Sequence, residues 1–334
     1  MNLPPLLRWI LLPVSFLYGE VVRIRVWMYA RKVLKQKRLS KPVISVGNLT
    51  VGGTGKTPMV IWLAERFLAE GKRVGILSRG YKGSGGTSDE IELMKARLKE
   101  RARFGVGADR YAQGRRLEEK GEVDVFLLDD GFQHLQLHRD ANILLMDASK
   151  PLGSERLLPA GRLREPLSEM GRADFLVFTR TETSAATQAA VEKFNEFPVF
   201  AAATRLMGFR KYGQGQDVLP LREIGDGPFY AFCGIGNPRS FFVDLKNWCV
   251  VLAGESEFAD HHRYDQRDAS EIEAVATRSG ARALLTTEKD ERNLAGVKFE
   301  TMAVYVAVIE LTMPRENDFL QALMEKLAAR SAAA

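Results

Sequence analysis

The chain has 334 residues, more than one hydrophobic core usually organises, and its mix of 46% hydrophobic and 27% charged residues excludes a disordered chain. Its two cysteines, Cys233 and Cys249, stand outside any CxxC pair, which excludes a disulfide scaffold and a cysteine-based zinc site and predicts a reduced, cytosolic setting. The net charge of +6 is concentrated in residues 1–41, where nine basic groups (Arg8, Arg23, Arg25, Arg31, Lys32, Lys35, Lys37, Arg38 and Lys41) face Glu20 alone, so the rest of the chain sums to −2 and lacks the basic body of a nucleic-acid binder.

The basic N-terminal segment is also strongly apolar. Its longest uncharged run, Trp9 to Gly19, has 11 residues, well short of the ~20 that cross a bilayer, and no basic cluster precedes it as in a secretory signal. The segment predicts a helical arm over residues 1–40 lying on an anionic membrane surface, with apolar side chains inserted and arginines among the headgroups. The alternative is an arm packed on the protein's own core, and the mixed spacing from Val21 to Leu34, with Arg25 and Lys32 near the apolar side, leaves both open.

After Lys41 strand and helix alternate. Apolar β-rich runs occur at 42–46, 73–77, 123–128, 142–146 and 174–178, separated by helically spaced segments such as 58–70 and 109–120. Strands apolar along their whole length, with helices between, predict a parallel sheet covered on both faces. A second series follows at 229–233, 250–252, 283–286 and 304–308. Between the two, residues 197–227 carry Gly208, Gly213, Gly215, Gly225 and Gly227 with few helical signals. The expectation is a first α/β domain over 41–200, a linker over 201–227 and a second over 228–334.

Between the first strand and the first helix lies Gly47-Asn48-Leu49-Thr50-Val51-Gly52-Gly53-Thr54-Gly55-Lys56-Thr57-Pro58, the setting of a phosphate-binding loop. Residues Thr50, Val51, Gly52, Gly53, Thr54, Gly55, Lys56 and Thr57 are the expected ATP contacts. Backbone N–H groups and the helix N-terminus face the phosphates, Lys56 reaches the β- and γ-phosphates, and the Thr57 hydroxyl holds Mg²⁺. Thr50 stands where the usual pattern has its first glycine, and Val51 argues against ATPases with an extra signature lysine there. Downstream, Val125-Phe126-Leu127-Leu128-Asp129-Asp130 places two carboxylates at a strand end, as a metal site paired with such a loop requires. Asp147 also ends an apolar run but lacks a companion motif and reads as structural.

Together with the loop, Asp129-Asp130-Gly131-Phe132-Gln133-His134 and Leu158-Pro159-Ala160-Gly161-Arg162-Leu163-Arg164-Glu165-Pro166 resemble the tetraacyldisaccharide 4′-kinases. The resemblance continues in order through Ser78-Arg79-Gly80-Tyr81, Phe232-Cys233-Gly234-Ile235-Gly236-Asn237-Pro238, Phe258-Ala259-Asp260-His261-His262 and Thr286-Thr287-Glu288-Lys289-Asp290. Three places depart from the family pattern: Thr87-Ser88-Asp89-Glu90-Ile91 for Gly-Asp-Glu-Pro, Gly153-Ser154-Glu155 for Gly-Asn-Gly, and Arg162 for proline.

The resemblance implies two α/β/α domains, the first of the P-loop NTPase type, joined by a strand-containing linker with the active site in the cleft between them. It implies transfer of the ATP γ-phosphoryl to the 4′-hydroxyl of an acylated glucosamine disaccharide 1-phosphate, with ATP and Mg²⁺, and so strengthens the membrane expectation. The chain would be a peripheral protein on the cytoplasmic face of the bacterial inner membrane, its partners being the lipid substrate and an anionic surface, with no protein partner evident. By resemblance Asp89 is the catalytic base, supported by His261. Lys56 carries the phosphates, and Thr57, Asp129, Asp130 and Glu165 surround the metal. Arg79, Arg164 and His262 are the expected substrate contacts. The role of Thr286–Asp290 stays open between reading adenine, closing the cleft and capping a helix. Competing classes are a cytosolic P-loop kinase of a small soluble metabolite and a nucleotide-dependent switch or targeting ATPase. A soluble substrate would not require the basic apolar arm, and a switch would not require a base outside the loop.

Overall fold

A computed structural model of the chain describes residues 5–80, 88–148, 156–181, 194, 197–215 and 217–332. Tyr81, Thr87, Gly153, Ser154 and Glu155, named in the motifs above, lie outside the described residues. The chain divides into two compact units, Met1–Ala203 with Leu311–Ala334, and Thr204–Glu310.

The first unit is built on β1 (Val43–Asn48), β2 (Val74–Ser78), β3 (Ala102–Val106), β4 (Val125–Asp129), β5 (Ala141–Asp147), β6 (Phe175–Thr179) and the start of β7 (Val199–Lys211). They run in the order β3-β2-β4-β1-β5-β6-β7, with parallel pairing throughout. β1, β2, β4, β5 and β6 are buried along their whole length, as their unbroken apolar sequences require when helices cover both faces. On one face Met59, Leu63 and Phe67 of α2 (Lys56–Ala69), Met94 and Leu98 of α3 (Asp89–Leu98), and Phe319 and Leu323 of the helix Glu316–Ala332 form one core. The Phe319 ring lies 5.6 Å from Phe175 and 5.0 Å from Phe200. On the other face Leu117 of α4 (Arg110–Glu119) packs with Leu39 and Phe126. Each such fully buried side chain contributes about 1.5–3 kcal/mol.

This core has a consequence for chemistry. The last residues of β1, β2, β4, β5 and β6 are Asn48, Ser78, Asp129, Asp147 and Thr179, all buried and all polar. The apolar interior of the sheet therefore ends in a row of hydrogen-bonding groups at its carboxyl edge, where open parallel sheets bind ligands.

The arm is one helix, α1 (Pro5–Ala30), continuous through Pro13. Its inner side docks on residues 157–164. Ser15 Oγ donates to the Leu157 carbonyl at 3.0 Å and accepts from Ala160 N–H at 2.9 Å, and Tyr18 Oη donates to the Arg164 carbonyl at 2.7 Å. The opposite side carries Ile10, Val14, Leu17, Val21 and Ile24 at helical spacing, between 50% and 65% exposed. The arm is thus packed on the protein along one side and leaves an apolar stripe exposed along the other. No helix among the described residues is long and apolar enough to cross a membrane.

The second unit holds β8 (Phe229–Cys233), β9 (Leu252–Glu257), β10 (Ala283–Thr287) and most of β11 (Val304–Thr312), in the parallel order β11-β10-β8-β9. Phe241, Phe242 and Leu245 of the helix Pro238–Asn247 cover one face. Ala269, Ile272 and Ala276 of the helix Gln266–Arg278 cover the other, completing a second α/β/α sandwich.

The segment expected as a strand-containing linker holds most of the 13-residue strand β7 (Val199–Lys211), and the division between the units falls after Ala203. Two expectations differ from the structure. The block 228–334 is not one domain, because Phe319, Leu323 and Leu327 return to the first core. The strand expected at 250–252 runs instead over Leu252–Glu257. As the last strand in its order it is half exposed, so its residues need not be apolar.

Candidate active site

The phosphate loop leaves β1 at Asn48 and enters α2 at Lys56, with Gly55 as N-cap in a left-handed conformation (φ 82°). Gly47 is required by close packing: a Cβ there would lie 2.6 Å from Phe132 Cβ and 2.7 Å from Phe132 N, so the Asp130–Phe132 turn could not pass behind the loop. The first half of the loop is braced as a short sheet edge. Thr50 bridges Leu163 in antiparallel fashion, Val51 N–H donates to the Arg162 carbonyl at 2.8 Å, and Arg164 N–H donates to the Leu49 carbonyl at 2.7 Å. Thr50 can stand where the usual pattern has glycine because it sits in this β-bridge and not at a positive φ, and its carbonyl accepts from Asn48 Nδ2 at 2.8 Å and Arg164 Nε at 3.2 Å. With the Val51 amide committed to Arg162, the phosphate cradle proper runs from Gly52 to Thr57. On its far side Thr179 Oγ1 donates to the Thr54 carbonyl at 3.1 Å.

In front of the loop lies one polar cluster. Lys56 Nζ donates to Asn48 Oδ1 at 3.2 Å and stands 3.6 Å from Asp130 Oδ1. Arg164 spans the same two residues, reaching Asn48 Oδ1 at 2.7 Å and Asp130 Oδ2 at 2.8 Å, and adds Gln133 Oε1 at 3.2 Å. Gln133 Nε2 in turn donates to the Asn48 carbonyl at 3.0 Å. Burial lowers the pKa of Lys56, and Arg164 adds to this, while Asp130 opposes it. Burial alone would raise Asp130, but Lys56 and Arg164 outweigh it and hold that carboxyl below its usual range. Its neighbour behaves oppositely. Asp129 accepts from Ser78 Oγ at 3.1 Å, and burial, followed by the Asp130 charge, pushes its pKa up to about 6.

The structure thus brings together Lys56, Asp129, Asp130 and Arg164. Beside Arg164 in sequence, Glu165 turns away: Arg164 faces the loop while the buried Glu165 carboxylate pairs with Arg172. Asp89 opens α3 beneath Ser88, whose Oγ accepts from Ile91 N–H at 3.4 Å. Glu90, the next residue, is in electrostatic reach of Asp129 and raises its pKa further. Arg79 is exposed at the end of β2. Sequence reasoning missed three residues. Asn48 and Gln133 sat inside quoted motifs without a role. Arg110, at the start of α4, is buried in electrostatic reach of Arg79, Asp130 and Asp129, and its Nε has no hydrogen-bond partner. Burial first, then Arg79, lowers its pKa. A buried arginine after Gly-Ala-Asp at a helix start was the available signal.

The two histidines of the second unit are set apart by their surroundings. His262 Nε2 is 2.8 Å from Asp268 Oδ2, and its ring packs in a cluster with Phe258 and Tyr264, each centroid 4.8 Å away and those two 5.0 Å from one another. That ring is packed and already holds a carboxylate partner. The His261 side chain is instead half exposed, near Lys289 and Asp260.

A sequence model of the tetraacyldisaccharide-1-P 4′-kinase family matches residues 7–328. Tetraacyldisaccharide 4′-kinases of Geobacter sulfurreducens and Geobacter metallireducens are each 40% identical to the chain, over 328 and 315 residues, covering 93% and 89% of it and 91% of each relative. Among solved structures, the "apo" form of LpxK from Aquifex aeolicus in complex with ATP matches with a TM-score of 0.76 and 34% identity, covering 96% of this chain and 99% of that one.

Proposed function

The chain belongs to the tetraacyldisaccharide 4′-kinase family, and from this membership and the Lys56–Asp130–Arg164 cluster we propose how it acts. It is a kinase that transfers the γ-phosphoryl of ATP to the 4′-hydroxyl of an acylated glucosamine disaccharide 1-phosphate, yielding the 4′-phosphorylated lipid A precursor. The observation that carries the mechanism is the pair of cations, Lys56 and Arg164, held at the mouth of the loop by shared acceptors on Asn48 and Asp130. Fixed cations in a partly desolvated site stabilise the charge that spreads over the transferring phosphoryl group without first reorganising.

The donor set for Mg²⁺ is all oxygen: the carboxylates of Asp129 and Asp130 and the Thr57 hydroxyl. Asp130 Oδ1 is buried with no hydrogen bond and only the Lys56 ammonium at 3.6 Å facing it, so a lone pair is open to a metal cation. So few protein ligands would suit Mg²⁺, which, held by Thr57, Asp129 and Asp130, would supply positive charge against the phosphates. Asp89 accepts the proton of the attacking hydroxyl, and His261 supports it by orienting the carboxylate and sharing its charge. Arg110 and Arg79 supply positive charge for an anionic group of the substrate.

The exposed stripe of α1 and the basic residues around it lay the enzyme on an anionic bilayer as a peripheral protein of the cytoplasmic leaflet, where an acylated substrate resides. The decisive test is a phosphoryl-transfer assay with the detergent-dispersed disaccharide 1-phosphate and mass analysis of the product. A gain of one phosphate at the 4′ position is expected. ATP turnover independent of the lipid would overturn the reading. Lys56→Ala should abolish transfer, and unchanged kcat in that variant would remove the loop from the mechanism.

A further inference from the structure

The Thr286–Asp290 motif has no role in the phosphate cluster, yet it meets the turn that carries His261. Thr286, Glu288 and Asp290 of the motif are buried, and Asp290 is fully enclosed in the first turn of the short helix Glu288–Asn293 that follows β10. Asp290 Oδ1 accepts from Gly234 N–H at 2.8 Å and from the Tyr264 hydroxyl at 3.0 Å, and Oδ2 accepts from Thr287 Oγ1 at 2.6 Å. A buried carboxylate with three donors is a rigid fixture. Gly234 passes that rigidity on, because its carbonyl accepts from His261 N–H at 3.0 Å. Gly234 must lack a side chain for this: a Cβ would come within 2.8 Å of the Ala259 carbonyl oxygen and 3.0 Å of His262 Cβ. The turn is held again by Phe258 N–H to the Cys233 carbonyl at 2.9 Å and His262 N–H to the Ala259 carbonyl at 3.0 Å. His261 itself has φ 62°, a left-handed conformation that a non-glycine residue keeps only where its surroundings over-determine it.

The ring is addressed by the neighbouring residue of the same motif. Lys289 Nζ lies 3.0 Å from Asp260 Oδ1 and 3.5 Å from His261 Nε2, and Asp260 Oδ1 lies 3.8 Å from His261 Nε2. The ammonium offers only donors and the Asp260 carboxylate only acceptors; the ammonium is the nearer of the two and within hydrogen-bond reach of Nε2, which favours a lone pair there and the ring proton on Nδ1.

We infer that the Thr287–Asp290 turn is a positioning device for His261: Asp290 anchors, through Gly234, the turn that carries it, and Lys289 fixes the orientation and tautomer of its ring. Lys289 and Asp290 are positioning residues and act through His261. The inference rests on the reading of His261 as support for the base only where it speaks of rate.

The test uses the full-length enzyme, with ¹⁵N-labelled histidine spectra and steady-state kinetics side by side. Lys289→Met removes the ammonium and retains the chain length. It is expected to shift the His261 nitrogen resonances away from the Nδ1–H pattern and to leave His262 unchanged. It should also lower kcat on the order of 10- to 100-fold, as small misplacements of catalytic groups do, with KM for ATP within about twofold. Lys289→Arg should restore most of both. Asp290→Asn turns an acceptor into a donor facing a hydroxyl and should melt lower, so Lys289→Met carries the decision. A wild-type His261 spectrum in Lys289→Met overturns the inference whatever the kinetics. A changed spectrum upholds it, even if His261→Ala proves fully active, a result that would remove only His261's part in the chemistry.

Discussion

Replacing Arg164 separates charge from shape in the cluster before the phosphate loop. Its guanidinium reaches four acceptors, Asn48 Oδ1 at 2.7 Å, Asp130 Oδ2 at 2.8 Å, and Gln133 Oε1 and the Thr50 carbonyl at 3.2 Å each. Arg164→Lys keeps the positive charge, but three donors on one tetrahedral nitrogen cannot span acceptors laid out for a planar fork. The side chain is only 20% exposed, so water replaces the lost contacts incompletely. Losing two of the four at about 0.5–1.5 kcal/mol each lowers stability by about 1–3 kcal/mol. The effect on rate should be larger, because the same contacts fix Asn48 and Asp130 against Lys56. Loss of one preorganised donor typically costs roughly 10²–10³ in kcat. Arg164→Met is expected in that range and Arg164→Lys within about tenfold of it. Arg164→Met also relaxes the hold on Asp130. A carboxyl with a lowered folded pKa contributes stability that is present above its unfolded pKa and lost as pH falls through the folded one, so the variant should lose less stability on acidification than wild type. The measurements are radiolabelled γ-phosphoryl transfer to the lipid and melting curves from neutral to acid pH. Wild-type kcat in Arg164→Lys would refute the argument, since it would show that a point charge suffices.

Other predictions follow from the same geometry. Asp129, raised from 3.8 to about 6 by burial, stabilises the metal-free fold less as pH climbs through that window, by on the order of 3 kcal/mol. Asp129→Asn, which keeps the Ser78 contact, should therefore melt higher than wild type at pH 8 with chelator present, with the gap closing below about pH 4; equal melting at both ends would contradict the assigned burial effect. Changing Leu17, Val21 and Ile24 together to Ser should cut co-sedimentation with anionic vesicles at least about tenfold while sparing the melting temperature, since these side chains touch solvent and not the core. Undiminished pelleting would assign the stripe no membrane role. Asp89→Ala and His261→Ala should each lower kcat strongly with ATP affinity nearly intact, and the double variant should be scarcely worse than the poorer single one, as for groups that act as a unit. Fully additive losses would mean that the two work separately.

Much of this protein was legible in its sequence because the signals were local. Strands buried on both faces must be apolar throughout, so β1, β2, β4, β5, β6 and β8 stood out within a residue or two of their observed bounds. A loop that wraps phosphates needs glycines and Lys-Thr at a helix start, and a carboxylate at a strand end follows an apolar run, so Lys56, Thr57, Asp129 and Asp130 were readable as text. What only the tertiary structure decided depends on direction and on distant partners. Adjacent letters cannot say that Arg164 turns toward Asp130 while Glu165 turns to Arg172, nor which of His261 and His262 is packed against aromatic rings. Edge strands such as β3 and β9 bury one face at most, so their sequences carry too little apolar periodicity to announce them. The return of Phe319 to the first core joins residues more than a hundred positions from that core's strands. Periodicity records which side of an element is buried; it does not record what buries it, because that partner is chosen by packing across the fold.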